Sequence, residues 1–217
     1  MKRAKTKTTF LTILLLLLTA PLQAQRVKDM WISMPDSLIP YLNKSMRIEL
    51  VDFVNMKVKA EVKNLLGEES VMDTLTASYL SVTLNAAATV QMRMLPLQNG
   101  DSIMCMVRSS HGPACDSELS FWSKNWQRIE QKGFISGAEA PQSLRDRLIV
   151  KPDTMTEARF EELSEMIEPF LVCASLSPTD NSLTLKVSLP MLSADDKKAV
   201  KAILMQRKLN WNGETFN

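Results

Sequence analysis

The chain has 217 residues, 45% of them hydrophobic and 23% charged, with 6 glycines and 10 prolines. That composition belongs to a folded globular protein and excludes collagen-like, low-complexity and disordered readings. Its formal charge of +2 is a property of one end. Four of the 26 basic residues (Lys2, Arg3, Lys5 and Lys7) and none of the 24 acidic ones precede residue 25, so the remainder carries −2. A body so close to neutral exerts no general pull on nucleic acid.

Residues 1–24 have the three parts of a secretory signal. A basic segment, MKRAKTKTT, precedes the apolar run Phe10–Leu18, and Pro21 and Ala24 supply a helix breaker and a small residue for cleavage. The run is about half of the roughly 20 apolar residues that a membrane-spanning helix needs. The expected product begins near Gln25 and is exported, periplasmic or secreted, with no stable membrane span after cleavage. Without a cysteine at the cleavage site, a lipid anchor of the bacterial lipoprotein kind is not expected.

The first third of the mature chain reads as helical and then turns to strand. Asp36 can cap a short helix through Ser37–Leu42. Ser45 precedes a stretch in which Ile48, Val51, Val54 and Val58 recur at helical spacing, ending before Gly67. A meander follows. Leu80–Leu84 and Val90–Met94 alternate apolar and polar residues as half-buried strands do. Asn99-Gly100 is a strong hairpin signal. As a two-residue turn it pairs Gln98 with Asp101, Met94 with Cys105 and Met92 with Val107. A further strand takes in Leu119, Phe121 and Trp122.

Residues 131–153, rich in Gly, Pro, Ser and charge, read as a loop or linker. Thr154-Met-Thr-Glu157 matches a capping box and opens a helix with Phe160, Leu163 and Ile167 on its apolar face. Strands are expected at Phe170–Leu176 and Leu183–Leu189, a helix from Ser193 with Ala199, Val200, Ile203 and Leu204 turned inward, and a last strand through Leu209 and Trp211. Short hairpins imply antiparallel pairing, and helices stand between strand groups. The fold class is α+β, with antiparallel meander sheets and helices packed on one side, and a helix-then-strands order that occurs twice. The expected organisation is a signal at 1–24, an N-terminal helix plus meander at 25–130, a loop at 131–153, and a helix-hairpin-helix-strand unit at 154–217 packed into the same globular body.

Four stretches carry a family resemblance: Met34-Pro-Asp-Ser-Leu-Ile-Pro40, Lys59-Ala-Glu-Val-Lys-Asn64, Gln91-Met-Arg-Met-Leu-Pro96 and Pro113-Ala-Cys-Asp-Ser117. They resemble a family of secreted Bacteroidales proteins known only as a domain of unknown function. The resemblance implies a Gram-negative envelope setting and brings no activity and no catalytic residues.

Candidate chemistry falls in four places. Met92, Met94 and Cys105 share one strand face under the two-residue turn, and soft sulfur ligands of that kind select Cu(I); packing of an irregular core by methionine is the competing explanation. His111 and Cys115 lie in one loop with Asp116, the ingredients of a thiol nucleophile and base. Three cysteines in an exported chain allow one disulfide, for which Cys105 and Cys115 are the expected pair, Cys173 lying in a separate strand group. Finally, Asp-Ser/Thr-aliphatic triplets place hydroxyls at Ser37, Thr74, Ser102 and Thr154, resembling the O-glycosylation acceptor motif of Bacteroidota. Phosphate-binding loops, dinucleotide fingerprints and His-based metal motifs are absent from the sequence, which contains one histidine. No cofactor is expected. The leading reading is a non-enzymatic interaction or scaffolding module with an unidentified protein partner in the envelope; a Cu(I)-binding protein and a thiol-dependent enzyme are the alternatives.

Overall fold

The computed structural model describes residues 20–129, 141–189 and 192–217. The basic and apolar segments of the expected signal, and residues 131–140 of the expected loop, lie outside them. The described residues form five α-helices and nine strands in two antiparallel sheets. The α+β expectation holds.

Helix α1 spans Ala20–Ser33. From Val27 onward it buries Val27, Met30 and Trp31. Asp36–Leu38 forms a single 3-10 turn, not the expected helix through Leu42, and Asp36 caps nothing. Its carboxylate instead pairs with Arg47, 2.9 Å away. Helix α2 (Lys44–Asn55) is capped by Asn43, whose side chain accepts the Met46 amide hydrogen at 3.1 Å. Its buried stripe is Arg47, Leu50 and Val51, while Ile48 faces out and Val58 lies beyond the helix. The apolar spacing located the helix but misjudged its inner face by one position, because the residue at the centre of that face is an arginine.

Arg47 is fully buried and holds the α1–α2 connection together. Its Nε–H donates to the Trp31 carbonyl at 3.0 Å and Nη1–H to the Leu42 carbonyl at 2.7 Å, and Nη2 bonds the Met34 carbonyl. The Trp31 carbonyl needs such a donor. Its helical partner four residues on is Pro35, which has no N–H.

The large sheet runs in sequence order: β1 (Glu61–Lys63), β2 (Glu69–Leu75), β3 (Tyr79–Asn85), β4 (Ala88–Pro96), β5 (Ser102–His111) and β6 (Cys115–Trp122). The β4–β5 register pairs Pro96 with Ser102, Met94 with Met104 and Met92 with Met106. The expected register is therefore wrong by one residue. The hairpin closes with Leu97 N–H donating to the Asp101 carbonyl, and Gly100 adopts φ +82°. This is a three-residue loop with glycine at the left-handed position, instead of a two-residue turn. One extra loop residue exchanges the faces of a whole strand.

That exchange sorts the core. Met92, Met94, Met104 and Met106 share one face with Leu80, Val82 and Val90, and pack against α1 and α2. Cys105 lies on the opposite face with Leu95, Ile103, Val107 and Phe121, beneath the C-terminal unit. Strand β5 is covered on both faces, so Ile103–Val107 reads as a continuous apolar run.

The C-terminal unit begins inside the expected loop with α3 (Pro141–Leu148), followed by α4 (Glu157–Glu165). The cap of α4 is Thr156, whose hydroxyl accepts from the Arg159 N–H, so the helix starts two residues later than a box at Thr154 would place it. A second sheet, ordered β7-β8-β9, follows: β7 (Leu171–Leu176), β8 (Ser182–Ser188) and β9 (Arg207–Asn210), with α5 (Ala194–Val200) capped by Ser193. Its apolar side chains Ala174, Leu176, Leu183, Leu185 and Leu209 join Leu163, Ile167, Val200 and Ile203 over the Cys105 face of the large sheet.

The free edge of β7 rests on that face. The Val172, Ala174 and Leu176 amides donate to Asp116 Oδ1 (3.4 Å), Ser117 Oγ (3.0 Å) and Gln91 Oε1 (2.8 Å). Side chains of one sheet thus satisfy the edge amides of the other, which blunts an edge that otherwise invites pairing with another chain.

Candidate functional site

The edge contact carries a covalent bond. Cys115 is joined to Cys173, 58 residues away, and Cys105 is a buried free cysteine. The expected Cys105–Cys115 pair is overturned by register. Cys115 pairs with His111, six positions along β5 from Cys105, about 20 Å at ~3.3 Å per residue. Strand β7 lies across β6 and brings Cys173 to Cys115 instead.

The same bond removes the thiol-enzyme arrangement, since Cys115 has no thiol to ionise. His111 is exposed, and its Nε2 lies 3.0 Å from the Thr89 hydroxyl. Cys105 is no substitute nucleophile. Burial pushes its thiol well above the ordinary range, away from the reactive thiolate.

The copper arrangement fails as well. Met92 and Met94 face the α1–α2 layer while Cys105 faces the C-terminal unit, so the three cannot share an ion. The structure does gather four methionines on one face, but at 8% exposure or less beneath two helices. There they fill a core between irregular surfaces. No group of three or more His, Cys, Asp or Glu side chains among the described residues is arranged to hold a metal ion. The four proposed glycan acceptors fare unequally. Ser37 and Thr154 are exposed on turns, Thr74 is half-buried in β2, and Ser102 Oγ is buried.

Where the two sheets meet, at the end of the β4–β5 hairpin, the structure has a cavity of about 300 Å³. Ser78, Arg93, Gly100, Asp101, Ser102 and Asn181 line it. Arg93 is the centre of this site. It projects from β4 towards the β7–β8 turn and is only 5% exposed. Its Nε–H donates to Asn181 Oδ1 at 2.8 Å and its Nη1–H to the Ser177 carbonyl at 2.7 Å. The turn that receives it is itself tied down: Ser177 N–H donates to the Ser182 carbonyl, and the Asp180 carboxylate accepts from the Ser182 amide and from Lys208.

Electrostatics leave one charge over. Lys124 pairs with Asp101, and Lys208 with Asp180 at 3.0 Å, whereas Arg93 has no ion pair. Desolvation lowers the Arg93 pKa from the ordinary arginine value, with the nearby Asp180 charge a smaller, opposing influence. Ser102, paired with Pro96 on the opposite sheet face from Arg93, has a buried hydroxyl without a hydrogen-bond partner. Such groups cost stability in a folded protein unless something fills them.

A family model described as protein of unknown function (DUF3256) matches residues 19–216. The chain belongs to this family. No curated protein sequence matches it. Among solved structures it is similar to a domain of an uncharacterized protein from Porphyromonas gingivalis W83, with a TM-score of 0.69 and 18% identity over 88% of this chain and 98% of that one. At that identity the likeness concerns the fold: the two-sheet body recurs with most of its side chains changed.

No local pattern marks Arg93 as a site residue. It stood in a strand of alternating residues, and its partners Ser177 and Asn181 are 84 and 88 residues away. Only the stacking of the two sheets joins them.

Proposed function

We propose that the chain is exported and acts outside the cytoplasm as a non-enzymatic binding module of a Gram-negative envelope, with the cavity between its sheets as the binding site. The Cys115–Cys173 disulfide carries the reading, because such bonds form and persist in oxidising compartments. The signal-like residues 1–24 agree with it, as does the likeness to a Porphyromonas protein. No helix among the described residues is long and apolar enough to cross a membrane. On this reading Ser37 and Thr154, exposed on turns, are the hydroxyls open to glycosylation.

The test is fractionation of cells producing the native chain, with intact mass and N-terminal sequencing of the recovered protein. Export predicts a product beginning near Gln25, oxidised at Cys115 and Cys173, in the periplasmic or extracellular fraction. Full-length protein in the cytoplasm with three reducible-state thiols overturns the proposal. Mass in excess of the bare polypeptide, located to Ser37 or Thr154, establishes the glycan.

A further inference from the structure

We propose that Asn99, at the tip of the β4–β5 hairpin, is a site of spontaneous deamidation, and that the fold directs the reaction there while sparing Asn212. The reaction places a new carboxylate at the rim of the cavity, and it does not depend on what the cavity binds.

The chemistry belongs to the Asn-Gly dipeptide, which the sequence contains twice, at Asn99-Gly100 and Asn212-Gly213. A backbone nitrogen reaches the side chain of a preceding asparagine most readily when its own residue has no Cβ. At the hairpin tip the Gly100 nitrogen, its proton taken by hydroxide, bonds to Asn99 Cγ. A five-membered imide closes as the side-chain nitrogen leaves as ammonia. Water then opens the ring at either carbonyl, giving aspartate or isoaspartate. One water is consumed and one ammonia released, and nothing is oxidised or reduced.

Both asparagines are exposed on turns, so sequence and exposure treat them alike. Their surroundings do not. The Asp101 N–H donates to Asn99 Oδ1 at 2.9 Å, which folds the side chain back over the following peptide. That donor also stands where the oxyanion of the addition intermediate develops. The leaving group, the Asn99 side-chain nitrogen, makes no hydrogen bond among the described residues. A methyl on Gly100 would meet nothing within 4 Å, so the loop has room to bring the nitrogen to Cγ.

Asn212 is held. Its Oδ1 accepts the Glu214 and Thr215 amide hydrogens, each at 2.9 Å, and its Nδ2 lies 3.5 Å from Thr215 Oγ1. Gly213 is wedged against the hairpin, where a Cβ would stand 2.8 Å from Gln98 Cγ. Ring closure there requires the side chain to leave its partners and Gly213 to move against Gln98. One feature runs the other way. The Gly100 N–H donates to the Leu97 carbonyl at 3.1 Å, and no such bond holds the Gly213 N–H among the described residues. The Gly100 bond lies at an exposed tip, where water replaces it at little net cost, and it is one bond against two and a packed neighbour.

The product lies beside Gly100 and Asp101, which line the cavity, and next to the Lys124–Asp101 ion pair. Isoaspartate also adds a backbone carbon to a loop whose length fixes the β4–β5 register.

The experiment is incubation of the purified, oxidised full chain in mildly alkaline buffer, folded and in urea. Tryptic peptides 94–108 and 209–217, each carrying one of the two dipeptides, are followed by mass spectrometry. Electron-transfer fragmentation locates the change from amide to acid and separates aspartate from isoaspartate. In the folded protein Asn99 should convert at least about fivefold faster than Asn212, the rate equivalent of one net hydrogen bond, and in urea the two should react within about twofold of each other. Anion exchange should resolve the converted protein as a more acidic species with the same thiol content. Three results overturn the proposal: a smaller ratio in the folded protein, an Asn99 that reacts in urea but not when folded, or the same preference in urea, which would trace it to neighbouring residues instead of the fold. None of these touches the proposal of export, which stands or falls on the location and N-terminus of the native protein.

Discussion

Replacing Arg47 by methionine tests how the N-terminal layer is built. The substitution keeps a long, flexible apolar stem but withdraws the donors from the Trp31, Leu42 and Met34 carbonyls. A buried polar group left without a partner costs about 1–3 kcal/mol, so three such carbonyls imply a loss of roughly 3–9 kcal/mol. The ion pair with Asp36 adds little, because that carboxylate is 56% exposed and screened by water. With a urea m-value of about 2–3 kcal/mol/M, the unfolding midpoint should fall by at least about 1 M. Equilibrium unfolding monitored by both far-UV circular dichroism and tryptophan fluorescence is the assay. Trp31 is a suitable reporter, since its indole N–H donates to the Arg47 carbonyl at 3.2 Å. Arg47→Lys retains the charge without the fork and should lose about half as much. Asp36→Asn should shift the midpoint by less than about 0.5 M. A midpoint for Arg47→Met within about 0.3 M of wild type, at an unchanged m-value, would refute the reasoning.

Other consequences follow from the fold. The Cys115→Ala/Cys173→Ala variant should lose about 4 kcal/mol, the chain-entropy value for closing a loop of 58 residues. Thiol titration of the native protein should find no reactive cysteine; denaturation without reductant should expose one, Cys105, and reduction all three. Gly100→Ala has open space for its methyl and should cost about 1 kcal/mol for its positive φ alone. Gly213→Ala should cost more, about 2 kcal/mol, because it combines a φ of +103° with a methyl set 2.8 Å from Gln98 Cγ. The Ser182 hydrogen bond, then Lys208 and Ser177, hold the Asp180 carboxyl well below the usual aspartate range. A depressed folded value stabilises above the unfolded pKa and is lost as pH falls through the folded one. The advantage of wild type over Asp180→Asn in urea midpoint should therefore be constant near neutrality and shrink only in acid below the ordinary aspartate range.

Where alternation was strict, the sequence was an adequate guide. Leu80–Leu84, Val90–Met94 and Leu183–Leu189 became β3, β4 and β8 because a period of two has few other realisations. Failures came where one residue carried information that pattern does not. Gly100 closes a three-residue loop, and that single residue turned Cys105 away from Met92 and Met94. Arg47 sits in the middle of an apolar stripe and disguises its direction, since a buried arginine looks like a surface residue until its carbonyl partners are known. Helix α3 was hidden by Pro141 and its charged residues, which read as loop. The cavity was the least legible element. Its wall is assembled from β4, the β4–β5 turn and the β7–β8 turn, and no local spacing encodes the crossing of two sheets.

The bond between β6 and β7 has a further effect on the integrity of the molecule. It closes a covalent ring of the residues between Cys115 and Cys173, which includes helices α3 and α4. A peptidase that cuts one bond anywhere in 116–172 opens the ring and releases nothing; the two pieces stay tethered, and the core above Cys105 keeps both its walls. Compartments outside the cytoplasm are rich in such enzymes, and connecting segments are where they act. A once-nicked population would migrate as one species until reductant is added, and as two fragments afterwards.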